Sequence, residues 1–188
     1  MKNLHKFSAF LLVGAVFFGS CKKDDHDHNH AHEQELITKV VVRFSSGAET
    51  VTMTWEDTDG LGSNPPVIQN GKLKPNTTYD IDISIAGEGG KDITAEITNE
   101  ADEHQVYYGF PSTLFNSFQY TDQDSKGKPL GLRAKVTTIP NTGGGNLQIL
   151  LVHEPIKSQN LASTPWVYNP NIGGEQDFNI TFNVTVAP

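Results

Sequence analysis

From residue 36 onward apolar side chains recur at every second position, the spacing that turns one face of a β-strand toward a core. In Leu36 to Phe44 the residues Val40, Val42 and Phe44 share one face, and Lys39, Val41 and Arg43 the other. Ser45-Ser46-Gly47-Ala48 supplies a turn. Glu49 to Glu56 alternates again, with Val51, Met53 and Trp55 inward and Thr50, Thr52 and Thr54 outward, so the two runs predict a hairpin. A loop from Asp57 to Pro66 follows, then a short strand at 67–69 and a turn at Lys74-Pro75-Asn76. Thr77 to Ala86 sets Tyr79, Ile81, Ile83 and Ile85 against Asp80, Asp82 and Ser84.

The period changes once. Gly87-Glu88-Gly89-Gly90 breaks the alternation, and the apolar positions 93, 97 and 101 that follow have helical spacing behind Asp92, a residue suited to an N-cap. Ile93, Ala95 and Ile97 would also fit a strand; the preferred reading is one short helix at 92–101. Strands resume at 105–110, 114–121, 130–138, 146–153 and 177–186. The last is unbroken: Phe178, Ile180, Phe182, Val184 and Val186 alternate with Asn179, Thr181, Asn183 and Thr185. A strand with so regular an apolar face must pair inside the fold, because as a free edge it would aggregate. The pattern predicts an all-β domain over 36–188, a two-sheet β-sandwich of immunoglobulin-like or jelly-roll type. It contains no βαβ alternation and no glycine-rich phosphate loop.

The chain ahead of residue 36 reads differently. Residues 1–20 have a basic start, Lys2 and Lys6, and an apolar run from Phe7 to Phe18, which is an export signal too short to span a bilayer. Phe18-Gly19-Ser20-Cys21 resembles the lipobox of bacterial lipoproteins, with Phe where Leu is usual. That resemblance implies cleavage before Cys21 and acylation of its thiol, and several acyl chains together would hold the chain stably to a membrane. Cys21 is the sole cysteine, so no internal disulfide can form. Lys22-Lys23-Asp24-Asp25 resembles the signal that directs Bacteroidota lipoproteins to the outer face of the outer membrane.

Residues 21–35 then form a polar tether with too little apolar surface to offset the entropy of ordering. Its histidines, His26, His28, His30 and His32, fall at alternate positions with Asp27 among them. Imidazole suits zinc, copper and nickel, and a flexible chain can wrap several rings around one ion. A spacer also needs hydrophilic residues, and histidine is one. The formal net charge of −8 repels phosphate backbones, which argues against nucleic acid as a partner.

Within the domain three sets of residues invite chemistry. Asp57-Thr58-Asp59-Gly60 and Asp122-Gln123-Asp124 through Gly127 resemble the start of a calcium loop but lack the closing glutamate, and Asp and Gly also favour turns. Glu103-His104 and His153-Glu154 would make a metal site if they converged; His153 is also in phase with Leu147, Ile149 and Leu151, as a buried, hydrogen-bonded histidine would be. The long loop Ile156 to Gly174 carries Trp166 and Tyr168, which could stack on a sugar ring, dock a partner or plug the end of the sandwich. No nucleophile–base set has local support, so no catalytic residue is assigned and the chain is not read as an enzyme.

Asp92 to Glu96, Ala101 to Tyr108, Tyr120 to Ser125, Gly127 to Leu132, Val152 to Pro155 and Gly173 to Val186 are similar to stretches of a group of small Bacteroidota outer-membrane lipoproteins. The likeness covers residues 36–186. Some members are labelled as a type 1 periplasmic binding fold, an α/β architecture that the alternation here contradicts. The group's association with TonB-dependent receptors implies a surface-facing accessory for nutrient uptake. Together with the tether, this gives the expectation of a binding protein that captures divalent transition metal; the alternative is a glycan- or protein-binding sandwich with the tether as spacer.

Overall fold

The computed structural model describes residues 36–60, 62–157 and 172–188, all within one compact unit. The predicted hairpin is present: β1 (Ile37–Ser46) pairs antiparallel with β2 (Glu49–Glu56), with Val42 opposite Met53 and Phe44 opposite Val51. The chain continues through β3 (Val67–Gln69), β4 (Gly71–Leu73) and β5 (Thr78–Gly87) to a 3-10 turn at Glu88–Gly90. The single α-helix among the described residues, α1 (Ile93–Asn99), leads to β6 (His104–Gly109), β7 (Phe115–Tyr120), β8 (Arg133–Thr138), β9 (Gly143–His153) and β10 (Glu175–Val186). The fold is the two-sheet sandwich that the alternation predicts. One sheet has the order β3-β2-β1-β5-β8-β7 and the other β4-β10-β9-β6.

The inward residues are those the period assigns. Val40, Val42, Phe44, Met53, Tyr79, Ile81, Ile83 and Ile85 from the larger sheet are buried against Leu147, Ile149, Leu151, Ile180, Phe182 and Val184 from the smaller. Val51 and Trp55 are only partly buried but pack on this core. Each fully buried large side chain contributes about 1.5–3 kcal/mol. β10 is interior, as its regular face requires, with β9 along one edge and β4, in parallel, on the other.

The helix forms where period two gives way. The Asp92 carboxylate accepts a hydrogen bond from Ala95 N at 3.2 Å, and Ile93 and Ile97 are buried. Thr94 fastens the first turn to the end of β5, its hydroxyl accepting from Ile85 N at 2.7 Å and donating to Ile85 O at 3.1 Å. This side-chain bridge favours helix over strand at 93–97, because the chain must double back over the sheet end instead of extending it.

Three features depart from the sequence reading. β4 is too short and too polar to show periodicity. The predicted strand 130–138 begins only at Arg133, because Leu130 turns to the other sheet, where its carbonyl accepts from Val106 N at 2.7 Å. Nearby, the Tyr120 hydroxyl donates to Val106 O at 3.0 Å and the Tyr108 hydroxyl to Gly131 O at 2.8 Å, sewing the two sheets along this edge. Gly131 sits at φ +90 in this seam, where a Cβ would lie 2.4 Å from Val106 O. Finally, Leu150 and Val152 point away from the main core yet are buried, forming a second cluster with Tyr107 and Ile172 on the other face of the smaller sheet.

Strand pairing within each sheet and hydrogen bonds between the sheets gather the connections at two ends. The end at which Leu36 begins the domain, here the proximal end, collects the described residues of the connections 57–60 with 62–66, 88–103, 121–132, and 154–157 with 172–174. The distal end has 47–48, 74–77, 110–114 and 139–142.

Candidate functional site

At the proximal end the antiparallel register of β6 and β9 brings together two residues far apart in sequence: His104 is the direct partner of His153. Both follow the inward parity of their strands, His104 before Val106 and Tyr108, His153 after Ile149 and Leu151, and so lie at the rim of the core. The rings stack, with centroids 4.7 Å apart and planes 13° from parallel. His104 Nδ1 is 3.2 Å from the Glu100 carbonyl oxygen just past the end of α1. His153 Nε2 is 3.7 Å from Glu103 Oε2. Burial holds the His104 pKa below the ordinary histidine value, and a charge on His153 would lower it further, against the opposing pull of the Glu100 carbonyl. The neutral ring is therefore the favoured form of His104 near pH 7.

The two predicted His–Glu pairs thus converge, with unequal parts. His104 is the more buried histidine, at 9% exposure, whereas the side chain of His153 remains 20% exposed. This corrects the expectation that His153 is the buried one: β9 ends there, so its ring reaches past the last core layer. Glu154 points its backbone elsewhere, at φ 51, and its N–H donates to Glu103 O at 2.6 Å, which ties the turn before β6 to the end of β9. Among the described residues no group of three or more His, Cys, Asp or Glu side chains stands ready around one point.

The aspartates of the second acidic motif organise backbone. Asp122 Oδ1 and Oδ2 accept from Gly131 N at 2.8 Å and Arg133 N at 2.9 Å. Asp124 Oδ1 accepts from Lys126 N at 2.9 Å and Lys128 N at 2.8 Å, while Oδ2 pairs with Lys157 Nζ at 2.9 Å. Burial opposes the charge on Asp124, but Lys157 and the two N–H groups outweigh it and hold the carboxyl below its usual range. Asp122, without a cation, is pushed up by burial. In the first motif Asp59 Oδ2 accepts from the backbone and side-chain nitrogens of Asn64, at 3.2 and 2.7 Å. These are the turn roles that Asp and Gly favour.

Lys157 went unnoticed in the sequence, yet its side chain is 7% exposed and that of Asp124 only 1%. Its amino group also donates to Ala101 O. Ile156 N donates to Ile172 O, and Ile172 is buried against Tyr107, Leu150 and Val152. The connection 154–174 therefore has a fixed base. Gly174 completes it at φ +74, where a Cβ would come within 2.2 Å of His153 O. No local signal could have revealed this base, since each contact joins segments distant in sequence.

Cys21, the tether residues His26, Asp27, His28, His30 and His32, and the loop residues Trp166 and Tyr168 lie outside the described residues. No helix among the described residues is long and apolar enough to cross a membrane. No family model matches the chain, and neither the curated proteins nor the solved structures provide a match.

Proposed function

We propose that the chain is a lipid-anchored binding accessory for nutrient uptake at the bacterial outer membrane, facing the cell surface, whose histidine-rich tether captures a divalent transition-metal ion. The observation that carries this reading is the run His26-Asp27-His28-Asn29-His30-Ala31-His32, four imidazoles at alternate positions behind a lipobox-like Cys21. The partner to which the ion passes would be a TonB-dependent receptor. Zinc or nickel titration calorimetry on the exported chain tests the capture step. Deleting residues 26–32 should abolish most of the binding, and a chain that binds undiminished after the deletion would exclude the tether.

A second reading is favoured by the fixed base of the 154–174 connection, which would present Trp166 and Tyr168 to a glycan or a protein. In that case Trp166→Ala and Tyr168→Ala together should remove binding to cell-surface polymer or receptor and leave metal uptake intact.

A further inference from the structure

Two imidazoles meet where the core of the smaller sheet runs out. His104 and His153 are register partners at the rim, their rings 4.7 Å apart and 13° from parallel, with Val106 and Tyr108 of β6 and Ile149 and Leu151 of β9 buried behind them. Neutral rings stack there without electrostatic cost. A proton on each would set two like charges side by side at the edge of an apolar core, where they repel more than they would in water.

The groups that face the pair come from three directions. Ahead of β6, the Glu100 carbonyl oxygen lies 3.2 Å from His104 Nδ1, and Glu103 Oε2 lies 3.7 Å from His153 Nε2. Glu154 follows His153 at the end of β9. On β10, Glu175 is the register partner of His153, and Asp177 stands in the bulge after it. The nearby ammonium of Lys157 is taken up by Asp124 and the Ala101 carbonyl. For His104, burial and the neighbouring His153 oppose a charge more than Glu100 and Glu103 favour one, so the ring resists protonation.

The same rim fastens the proximal connections. Glu154 N donates to Glu103 O, and these two residues are the chain neighbours of His153 and His104. Lys157 Nζ donates to Ala101 O and Ile156 N to Ile172 O just beyond. Repulsion between the rings would therefore act directly on these ties. We propose that the His104–His153 pair is a proton sensor: neutral, it holds the ends of β6 and β9 together under 154–157 and 172–174, and on acidification it loosens that base. The direction follows from His104, which lies below the ordinary histidine value of 6.5 in the folded chain. Above pH 6.5 the ring is neutral whether the chain is folded or not, and the pair contributes its full stability. As the pH falls through 6.5 the unfolded chain takes the proton first, so stability is lost progressively down to the folded value. The aspartates of this end do not imitate the effect. Asp122, pushed up by burial, favours the folded chain as the pH falls, and Asp124, held below 3.8, acts only in stronger acid.

The test uses the full chain carrying His26→Ala, His28→Ala, His30→Ala and His32→Ala, in the presence of EDTA, so that neither the tether nor a bound ion contributes. Between about pH 7.5 and about pH 5.5 its melting temperature, followed by circular dichroism, should fall by about 2–4 °C. Hydrogen exchange, corrected for pH, should quicken at 154–157 and 172–175 before 74–77. Adding His104→Gln should abolish the fall, and His153→Gln should reduce it. If His104→Gln does not fold, His153→Gln decides together with the ring nitrogen shifts of His104, which should show more neutral than charged imidazole at about pH 6. A constant melting temperature over this range, a fall unchanged by His153→Gln, or a His104 ring mostly charged at about pH 6 would each overturn the proposal. Failure of the tether to capture metal would leave all of these results as they are, so the two readings fail separately.

Discussion

The two ends of the sandwich differ in the length and charge of their connections. At the distal end the strands are joined by the short connections 47–48, 74–77, 110–114 and 139–142, whose one charged residue is Lys74. Neutral groups tie them across the fold: the buried Thr138 hydroxyl donates to Lys74 O at 2.7 Å and accepts from Thr77 N at 3.0 Å. At the proximal end the connections are longer and charged, and ionisable side chains take part in the ties between them: Asp124 with Lys157, the Ser125 hydroxyl with Asp102 at 2.7 Å, His104 with His153. A short turn needs only to reverse the chain. Long connections held on a rigid scaffold are where binding residues can be placed. The end at which Leu36 begins the domain is thus also the end that holds His104, His153 and the carboxylates of the described connections.

The sharpest way to break this contrast is Asp124→Ala. It leaves the Lys157 ammonium buried beside the Ala101 carbonyl alone, and removing one partner of a buried pair costs about 3–5 kcal/mol. Urea denaturation measures the loss, and hydrogen exchange should show protection falling first at 154–157 and 172–175 while 74–77 stays protected. Next in size is Thr138→Val at the distal end, which strips the partner from two part-buried backbone groups and should cost about 1 kcal/mol. Hydrogen exchange in this variant should lose protection at 74–77 while 154–157 stays protected; equal loss at both would dissolve the distinction between the ends. The smallest effect belongs to Glu49→Gln. The ion pair of Glu49 with Lys74 is solvent-exposed and raises the Lys74 pKa, but water screens it, so the melting temperature should not move measurably.

Legibility differed in the same way. β1, β2, β5 and β10 declared themselves because alternation is a property of a single segment: one face must be apolar whatever it packs against. The Asp92 cap and the 93, 97, 101 spacing likewise need only one turn of chain. β4 was invisible because it is held by pairing with β10 and with no pattern of its own. The end of strand 130–138 misled because Leu130 and Leu132 are apolar for a reason other than continuing the strand: both are buried where the chain crosses between sheets. His104, His153, Glu103 and Glu154 could be named as a pair of doublets, but their meeting depended on a register that no local residue encodes.

By itself, then, the sequence determined the all-β class, the inward faces and the helix after Asp92. Each of these follows from short-range periodicity, and burial enforces it within a single element. Only the tertiary structure decided which strands are neighbours, that His104 and His153 stack, that Lys157 is buried on Asp124, and that all of this lies at the end where Leu36 begins the domain. Those facts arise from pairings between residues dozens of positions apart, where the energy resides in the contact and leaves no trace in either segment alone.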